Sequence, residues 1–575
     1  MGKSGGLNRC SGLHRHFPTL TAAPSVPPHK GEGGSACVNL APEATILPTR
    51  YAVFVTCVAL LVAASVAAPF HPRWWFAVVP LAALTLLGIR DLLQRRHSIQ
   101  RLYPIIGHIR WAAEFVRPEL RQYLFEADEE ASPFSRSQRT LVYERAKGES
   151  GEHPFGTLLD VYRGGYEFIG HSIVPAKAAD PQTFRITIGG EQCAKPYSAS
   201  VFNISAMSFG ALSANAIRAL NAGAKRGGFS HDTGEGSISP YHLEMGGDIV
   251  WELGSGYFGC RTDDGHFDPD RFAVQAGLEQ VRMIEIKLSQ GAKPGHGGVL
   301  PAAKVSPEIA QTRGVPMGRD CISPSHHSAF STPLEMLAFI TQLRTLSGGK
   351  PVGFKLCIGH PWEFMAIVKA MLQTGVIPDF VVVDGAEGGT GAAPTEFSDH
   401  IGAPMREGLL FVHNTLVGAD LRDKIKVGAA GKIVSAFDIA SVLAIGADWT
   451  NAARGFMFAL GCVQSLSCDT NRCPTGVATQ DAVRQSALVV PDKAERVYNF
   501  HRLTLKALAD MLAAAGLDHP SDLGPDHLVR RVSATEIRLF SDIHIFLRPG
   551  ELVDGTPRDG FYARTWRRAR ADSFG

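Results

Sequence analysis

The sequence predicts an α/β protein: a (β/α)8 TIM barrel preceded by an N-terminal transmembrane helical hairpin. Three observations lead to that class. Eight short β-rich runs alternate with segments of helical period between residues 201 and 453. The residues able to do chemistry follow those runs rather than precede them. Two apolar stretches free of Asp, Glu, Lys and Arg stand ahead of residue 90.

Residues 1–50 show no sustained periodicity and read as a disordered extension, or as an overlong start to the gene. Their GEGGS run has no strand before it and no helix after it, so it is not a nucleotide loop. From Tyr51 to Ala68, and again from Trp74 to Ile89, the chain is apolar throughout. Each stretch is slightly short of the ~20 residues that span a bilayer. Joined by PFHPR they make a hairpin over residues 51–90, with Trp74 and Trp75 at one interface. Arg90, Arg95, Arg96, Arg101 and Arg110 follow, a positive-inside signal. It places both chain ends in the cytosol, so the expected location is the inner (cytoplasmic) membrane with the catalytic domain facing the cytosol. A signal peptide would lack the second span; a buried core hairpin is the other alternative. Residues 91–195 interleave aromatics and charges and read as an amphipathic connection packed on the barrel or the membrane.

The net charge of +2 gives no electrostatic case for nucleic acid. The 60 glycines fall in short runs such as GGTG and GHGG, so they mark turns rather than a fibre. Ten cysteines in 575 residues follow no disulfide framework and suit a reducing compartment.

The eight runs are VFNISAM (201–207), GGFSHD (227–232), GYFGC (256–260), MIEIKL (283–288), VGFKLC (352–357), DFVVVDG (379–385), KIKVGAA (424–430) and DWTNAA (448–453). A doubly wound sheet is the rival, but the count of eight over roughly 250 residues favours the barrel. The barrel domain is expected over residues 196–485, with a C-terminal helical extension over 486–575.

Barrel chemistry sits at the C-terminal strand ends. There the sequence places Met207-Ser208, Glu235, Lys287 with Gln290, Lys355, Asp384-Gly385, Gly431-Lys432 and Ala453-Arg454. Any one lysine alone reads as a solvated rim residue; their joint placement points to an anion. Glycine turns after strands seven and eight form the usual phosphate pocket of this fold, where backbone N–H groups and helix dipoles favour negative charge. Flavin mononucleotide (FMN) suits such a pocket, and a sugar phosphate fits nearly as well. Glu235 also reads as a loop-capping carboxylate.

The stretch GCVQSLSCDTNRCPTGVATQ holds Cys462, Cys468 and Cys473 in the spacing C-x5-C-x4-C-P. Zinc ribbons use C-x2-C pairs and four ligands, so zinc fits poorly. Iron–sulfur clusters take thiolates from irregular loops, often with a proline after a ligand. Three local thiols suit a three-iron cluster, or a four-iron cluster with an outside ligand; cysteines that only pack are the plain alternative.

In order, SAMSFGALS, DTGEG, EIKLSQGAKPGHGGVLP, ISPSHH, DGAEGGTGAAP and ALGC-x5-C-x4-CPTGVATQ resemble the flavin and iron–sulfur synthase domain of glutamate synthase, over about residues 195–485. The resemblance implies an FMN-binding barrel and a three-iron–four-sulfur (3Fe-4S) cluster on Cys462, Cys468 and Cys473. It implies electrons passing through the cluster to FMN, then a hydride to 2-iminoglutarate formed from 2-oxoglutarate and ammonia, giving L-glutamate. By motif, Ala206, Met207 and Ser208 would touch the flavin, with Lys355, Asp384 and Gly385 beside it. Gly431 and the Ala453–Arg454 turn would meet its phosphate, and Glu235, Lys287 and Gln290 would be catalytic.

The sequence departs from the large glutamate synthases in lacking a catalytic N-terminal cysteine and a glycine-repeat β-helix after the barrel. Its phosphate turn reads AAGK rather than paired glycines, and Arg454 replaces a small residue. The resemblance is therefore to stand-alone, FMN-binding glutamate-synthase-like proteins, which leaves the keto acid and the amine source open. No G-x-G-x-x-G follows a strand, so ferredoxin or another carrier, rather than NAD(P)H directly, is the expected donor. A related amine or amino-acid oxidoreductase or transferase, and a non-catalytic membrane redox relay, stay open as other readings.

Overall fold

The computed structural model describes residues 49–129, 133–149, 151–555 and 557–575, so the disorder expected over residues 1–48 lies outside them. The chain divides into two compact units, Met1–Phe125 and Glu126–Gly575.

In the first unit, α1 (Ala52–Ala67) packs on α2 (Trp75–Leu93) through Ala64, Ala68 and Val78. With their leading turns these helices run Thr49–Ala67 and Pro72–Leu93, 19 and 22 residues long, each long and apolar enough to cross a membrane. Their outer faces leave Leu60, Val62, Phe76 and Leu86 exposed. Asp91, fully buried, accepts from the Ile105 N–H at 3.0 Å and lies 2.9 Å from His108 Nε2. That contact ties the start of α3 (Gly107–Leu120) to α2. The outward side of α3 exposes Ile109, Trp111 and Phe115.

The second unit is built on eight parallel strands that close on themselves. They are β1 (Phe202–Ile204), β2 (His231–Asp232), β3 (Ile249–Leu253), β4 (Val281–Lys287), β5 (Val352–Leu356), β6 (Phe380–Asp384), β7 (Lys426–Ala430) and β8 (Trp449–Ala452). Closure comes from β8 returning to β1, with Thr450 opposite Phe202 and Ala452 opposite Ile204. Seven of the predicted runs hold these strands. The third does not: GYFGC (256–260) is a turn, and the strand is the earlier IVWEL, buried at all five positions. A strand covered on both faces shows no alternation. The helix ahead of it is also cut to one turn, Pro240–Leu243, so β3 arrives sooner than the repeat suggests.

Most crossovers carry a helix. After α4 (Arg136–Lys147), which precedes the barrel, come α5 (Ala214–Gly227), α6 (Pro269–Ala276), α7 (Pro307–Arg313), α8 (Pro333–Leu346), α9 (Pro361–Thr374), α10 (Met405–Gly418), α11 (Ala436–Ala444) and α12 (Arg454–Leu460). Ser213, Asp268, Ser306, Thr332 and Ser435 cap their helices with a side-chain oxygen, and proline opens α6 to α9.

Strand alternation fills the interior. Val250, Met283, Phe380, Val382 and Trp449 form an apolar cluster closed by Ile188, Tyr197 and Ala199 of a preceding hairpin, Arg185–Ile188 with Tyr197–Ser200. Two residues beyond Val250 and Met283, the same alternation carries Glu252 and Glu285 inside. After the barrel, α13 (Val490–Ala514) packs on α5, α4 and α12. The segment expected to be helical also contributes strands, Leu528–Arg531 and Ile537–Leu539, because Leu528–Arg531 finds an open partner in Glu167–Ile169.

Candidate active site

A cavity of about 1420 Å³, including its open mouth, lies at the C-terminal strand ends. At the end of β4, Lys287 Nζ donates to Gln290 Oε1 at 2.7 Å and sits 3.2 Å from Glu235 Oε2. The three expected catalytic residues therefore stand together, and all line the cavity. Glu235 is positioned by the loop after β2. There Gly234 holds φ at +63° and lies so close to the β1 loop that a Cβ would be 2.7 Å from the Ser208 nitrogen. Burial pushes the Glu235 carboxyl up, but Lys287 and Arg313 outweigh it and hold the group below its ordinary value.

Three further cations in this cavity, Lys293, Arg313 and Lys304, were not singled out from sequence. Lys293 is buried, which holds its ammonium below the usual lysine value despite the nearby Glu235. Arg313, at the end of α7, donates to Ser208 Oγ at 3.3 Å and to the Phe209 carbonyl at 3.1 Å.

Lys355 is no free rim lysine. Its ammonium bonds to Glu252 and lies 3.1 Å from Glu285, with its side chain 4% exposed. Burial works against its charge, but Glu252, Glu285 and Asp232 outweigh burial and hold it well above the ordinary lysine value. The carboxylates of Asp232, Glu252 and Glu285 lie within 4.8 Å of one another, close enough for a metal site. Lys355 already supplies the cation there. Burial, then the Glu285 charge, pushes the Asp232 carboxyl well up. Asp384 accepts from the Gly291 N–H at 2.8 Å, and burial raises its carboxyl despite Lys355. Gly385 does not reach the cavity; its N–H donates to the Ala430 carbonyl at 2.8 Å.

His327 of the ISPSHH run braces the site from behind. Its Nε2 lies 2.9 Å from the Lys287 carbonyl, an acceptor only, and burial lowers the imidazole to about 4. The ring is thus neutral with Nε2 as donor, while Nδ1, 3.1 Å away, accepts from the Tyr257 hydroxyl.

Ala206, Met207 and Ser208 line another wall, and the turns Gly431-Lys432 and Ala453-Arg454-Gly455 complete the cavity. Ala453 has no side-chain oxygen to cap α12, which leaves the first-turn N–H groups available to another acceptor. The Arg454 guanidinium is committed elsewhere. It donates to the Thr390 carbonyl at 2.8 Å and lies 3.8 Å from Cys468 Sγ, tying the loop after β6 to the cysteine loop.

Cys468 lines the cavity, while Cys462 and Cys473 are buried nearby, and all three thiols are free. Their loop is irregular, with Gln464, Leu466 and Asn471 at positive φ. Burial pushes the Cys462 thiol up to about 11, and Cys468 and Cys473 are close enough for their charges to add to it. Burial opposes ionisation of Cys473 too, but the Thr475 hydroxyl and the N–H groups of Ala478, Thr475 and Val477 hold that thiol below its usual value. Buried Lys304 donates to the Cys468 carbonyl at 3.0 Å and the Ala211 carbonyl at 3.1 Å, bridging the cysteine loop and the β1 loop. Phe134, just ahead of α4, also lines the cavity. Its N–H and carbonyl each bond to the Gln464 amide at 3.2 Å.

A closed parallel barrel with its ionisable groups gathered at the C-terminal strand ends is the architecture of a barrel enzyme. The conserved region in glutamate synthase matches residues 175–518. The chain is 38% identical over 510 residues to the glutamate synthase large subunit-like protein YerD of Bacillus subtilis (strain 168), covering 82% of this chain and 97% of that protein. It is 32% identical over 340 residues to an archaeal-type glutamate synthase (NADPH) of Dehalococcoides mccartyi, covering 58% of this chain and 64% of that protein. To the archaeal glutamate synthase (NADPH) of Methanocaldococcus jannaschii it is 34% identical over 317 residues, covering 55% and 59%. The chain belongs to the glutamate synthase family of oxidoreductases. It spans under two thirds of these two archaeal-type relatives.

Proposed function

We propose that this protein is a membrane-tethered flavin and iron–sulfur enzyme that reductively aminates 2-oxoglutarate or a similar keto acid. The observation that carries the reading is one cavity holding Lys287, Glu235 and Gln290 with Lys293 and Arg313, bounded by the β7 and β8 turns and Cys468. FMN fits it. Ala206 to Ser208 offer a wall, and Gly431 with the uncapped start of α12 offers backbone donors for a phosphate. A cluster fits the donor set as well: three free thiols, one held towards thiolate, with the Lys304 and Arg454 cations alongside. When bound, FMN supplies a hydride and a 3Fe-4S cluster on Cys462, Cys468 and Cys473 supplies single electrons.

The side chains then divide the work. Lys287, Lys293 and Arg313 match the two carboxylates of a keto diacid and polarise its carbonyl carbon. Glu235 is held ionised, so it acts as the base that takes the proton from the ammonia nitrogen as it adds. Gln290 fixes the Lys287 ammonium, and His327 fixes the Lys287 backbone. The apolar outer faces of α1 and α2, followed by Arg90, Arg95, Arg96, Arg101 and Arg110, support a hairpin in the cytoplasmic membrane with the barrel on the cytosolic side. Reduced ferredoxin is the expected donor, and NADPH, carried in the archaeal-type relatives' names, is the other to try.

Anaerobically purified protein should show flavin bands, with iron and acid-labile sulfide. Reduced protein mixed with 2-oxoglutarate and ammonium should reoxidise its flavin and yield glutamate. Absence of flavin, or flavin that stays reduced in that mixture, overturns the reading.

A further inference from the structure

Behind the wall formed by the β1 loop lies a second cleft, lined by Phe209, Tyr241, Arg261, Arg271, Glu308 and Arg313 among others. It belongs to none of the groups assigned above except Arg313, which lines both cavities. Its charge is unbalanced. Arg261 and Arg313 flank one ring, with their guanidinium carbons 5.6 and 5.3 Å from the centre of Phe258. Arg313 is 4% exposed, and among the described residues the buried Nε atoms of both arginines have no hydrogen-bond partner. Arg271 stands beside them and donates to the Arg261 carbonyl. The compensating carboxylates are few, and Glu235, which is close enough to Arg313 to feel its charge, lines the other cavity. Asp268 lies 3.3 Å from Arg271 Nε, Asp264 is near enough to Arg261 to feel its charge, and Glu308, the one carboxylate among the described lining residues, accepts from the Tyr241 hydroxyl at 2.7 Å.

We infer that this cleft binds the phosphate group of a small molecule. Guanidinium forks match phosphate oxygens in pairs, and buried N–H groups without partners are satisfied by such an anion. Tyr241, half-buried and packed edge to face on the buried Phe209 ring at 5.0 Å, gives a phosphorylated ligand an aromatic surface for its remainder. The consequence is regulatory. Arg313 holds Ser208 Oγ and the Phe209 carbonyl, so an anion drawing on Arg313 acts on the loop that forms the flavin wall. Only this coupling rests on the flavin reading; the binding itself does not.

The test is calorimetry on the flavin-loaded full chain at fixed ionic strength, titrated with inorganic phosphate and, separately, AMP. Saturable one-to-one binding is expected, weakened at least tenfold by Arg261→Gln and by Arg271→Gln. Neither residue touches the catalytic cavity, so both variants should keep full flavin content and basal glutamate formation. AMP binding at least tenfold tighter than phosphate assigns the cleft to a nucleotide; equal binding assigns it to free phosphate. No saturable binding of either probe, or binding that both variants leave unchanged, overturns the proposal. Flavin content is read from the absorption spectrum, so failure of the flavin assignment would be seen separately.

Discussion

Lys287 balances two neighbours at once, donating to Gln290 and neutralising Glu235. Lys287→Met should therefore lower glutamate formation about 100-fold or more, with flavin and iron retained. The same variant removes the cation that outweighed burial at Glu235, so the carboxyl rises. In the native protein the Glu235 carboxyl stays ionised to a lower pH than an ordinary glutamate. In the variant, the acid limb of the pH–rate profile should move to higher pH, and an unmoved limb would remove Glu235 from the role of base. Cys468→Ser should lose iron and acid-labile sulfide while keeping flavin and a folded barrel; iron content equal to wild type would contradict the ligand assignment. Apart from the cysteines, which their spacing and motif marked, the residues legible beforehand lie at or just after a strand end, where barrel geometry dictates the direction of the side chain. Lys304, Arg313 and Phe134 come from segments between or ahead of strands, and only the packing of α7 and the cysteine loop brings them to the cavity.

At the scale of elements, legibility followed periodicity. Strands β4 to β8 are short runs rich in apolar and β-branched residues, each followed within a few residues by glycine, and their positions could be read directly. The third strand was misplaced because its crossover shrank to Pro240–Leu243, and because the turn residues Tyr257 and Phe258 look strand-like while packing into the core. The Arg185–Ile188 hairpin that plugs the barrel had no distinguishing pattern; two short strands specify little until Ile188 and Tyr197 find Val250 and Trp449. The α1–α2 pair yields a direct prediction. Full-length protein should sediment with membranes and resist alkaline extraction, whereas a chain starting at Glu126, the boundary of the second unit, should stay in solution with its flavin. Full-length protein in the soluble fraction would remove the anchor.

For the whole molecule, the buried charges of the barrel interior set how stability responds to pH. Burial and the Glu285 charge push the Asp232 carboxyl well above its ordinary value, so between the two values the native state keeps a proton that the unfolded chain releases near the ordinary carboxylate pKa, about 3.9. That contribution is complete below the unfolded value and is lost as pH rises towards the raised native one. Asp232→Asn keeps the neutral form at every pH. Its denaturation midpoint should fall less steeply with rising pH, by up to about 1.4 kcal/mol per pH unit in stability. Parallel curves for variant and wild type would show that Asp232 is ionised in the native protein.

The pairing of Thr450 with Phe202 has a consequence for synthesis. A nascent chain that has made β1 through β7 still has no barrel, and both outer strands present unpaired backbone to anything nearby. The apolar hairpin leaves the ribosome long before β8 does, so under the proposed membrane anchoring the unfinished sheet would wait at the bilayer rather than free in solution. Tethering there separates copies during the interval when edge-to-edge association is most favourable. Detaching the hairpin should therefore lower the yield of folded protein, even where the finished barrel is equally stable without it.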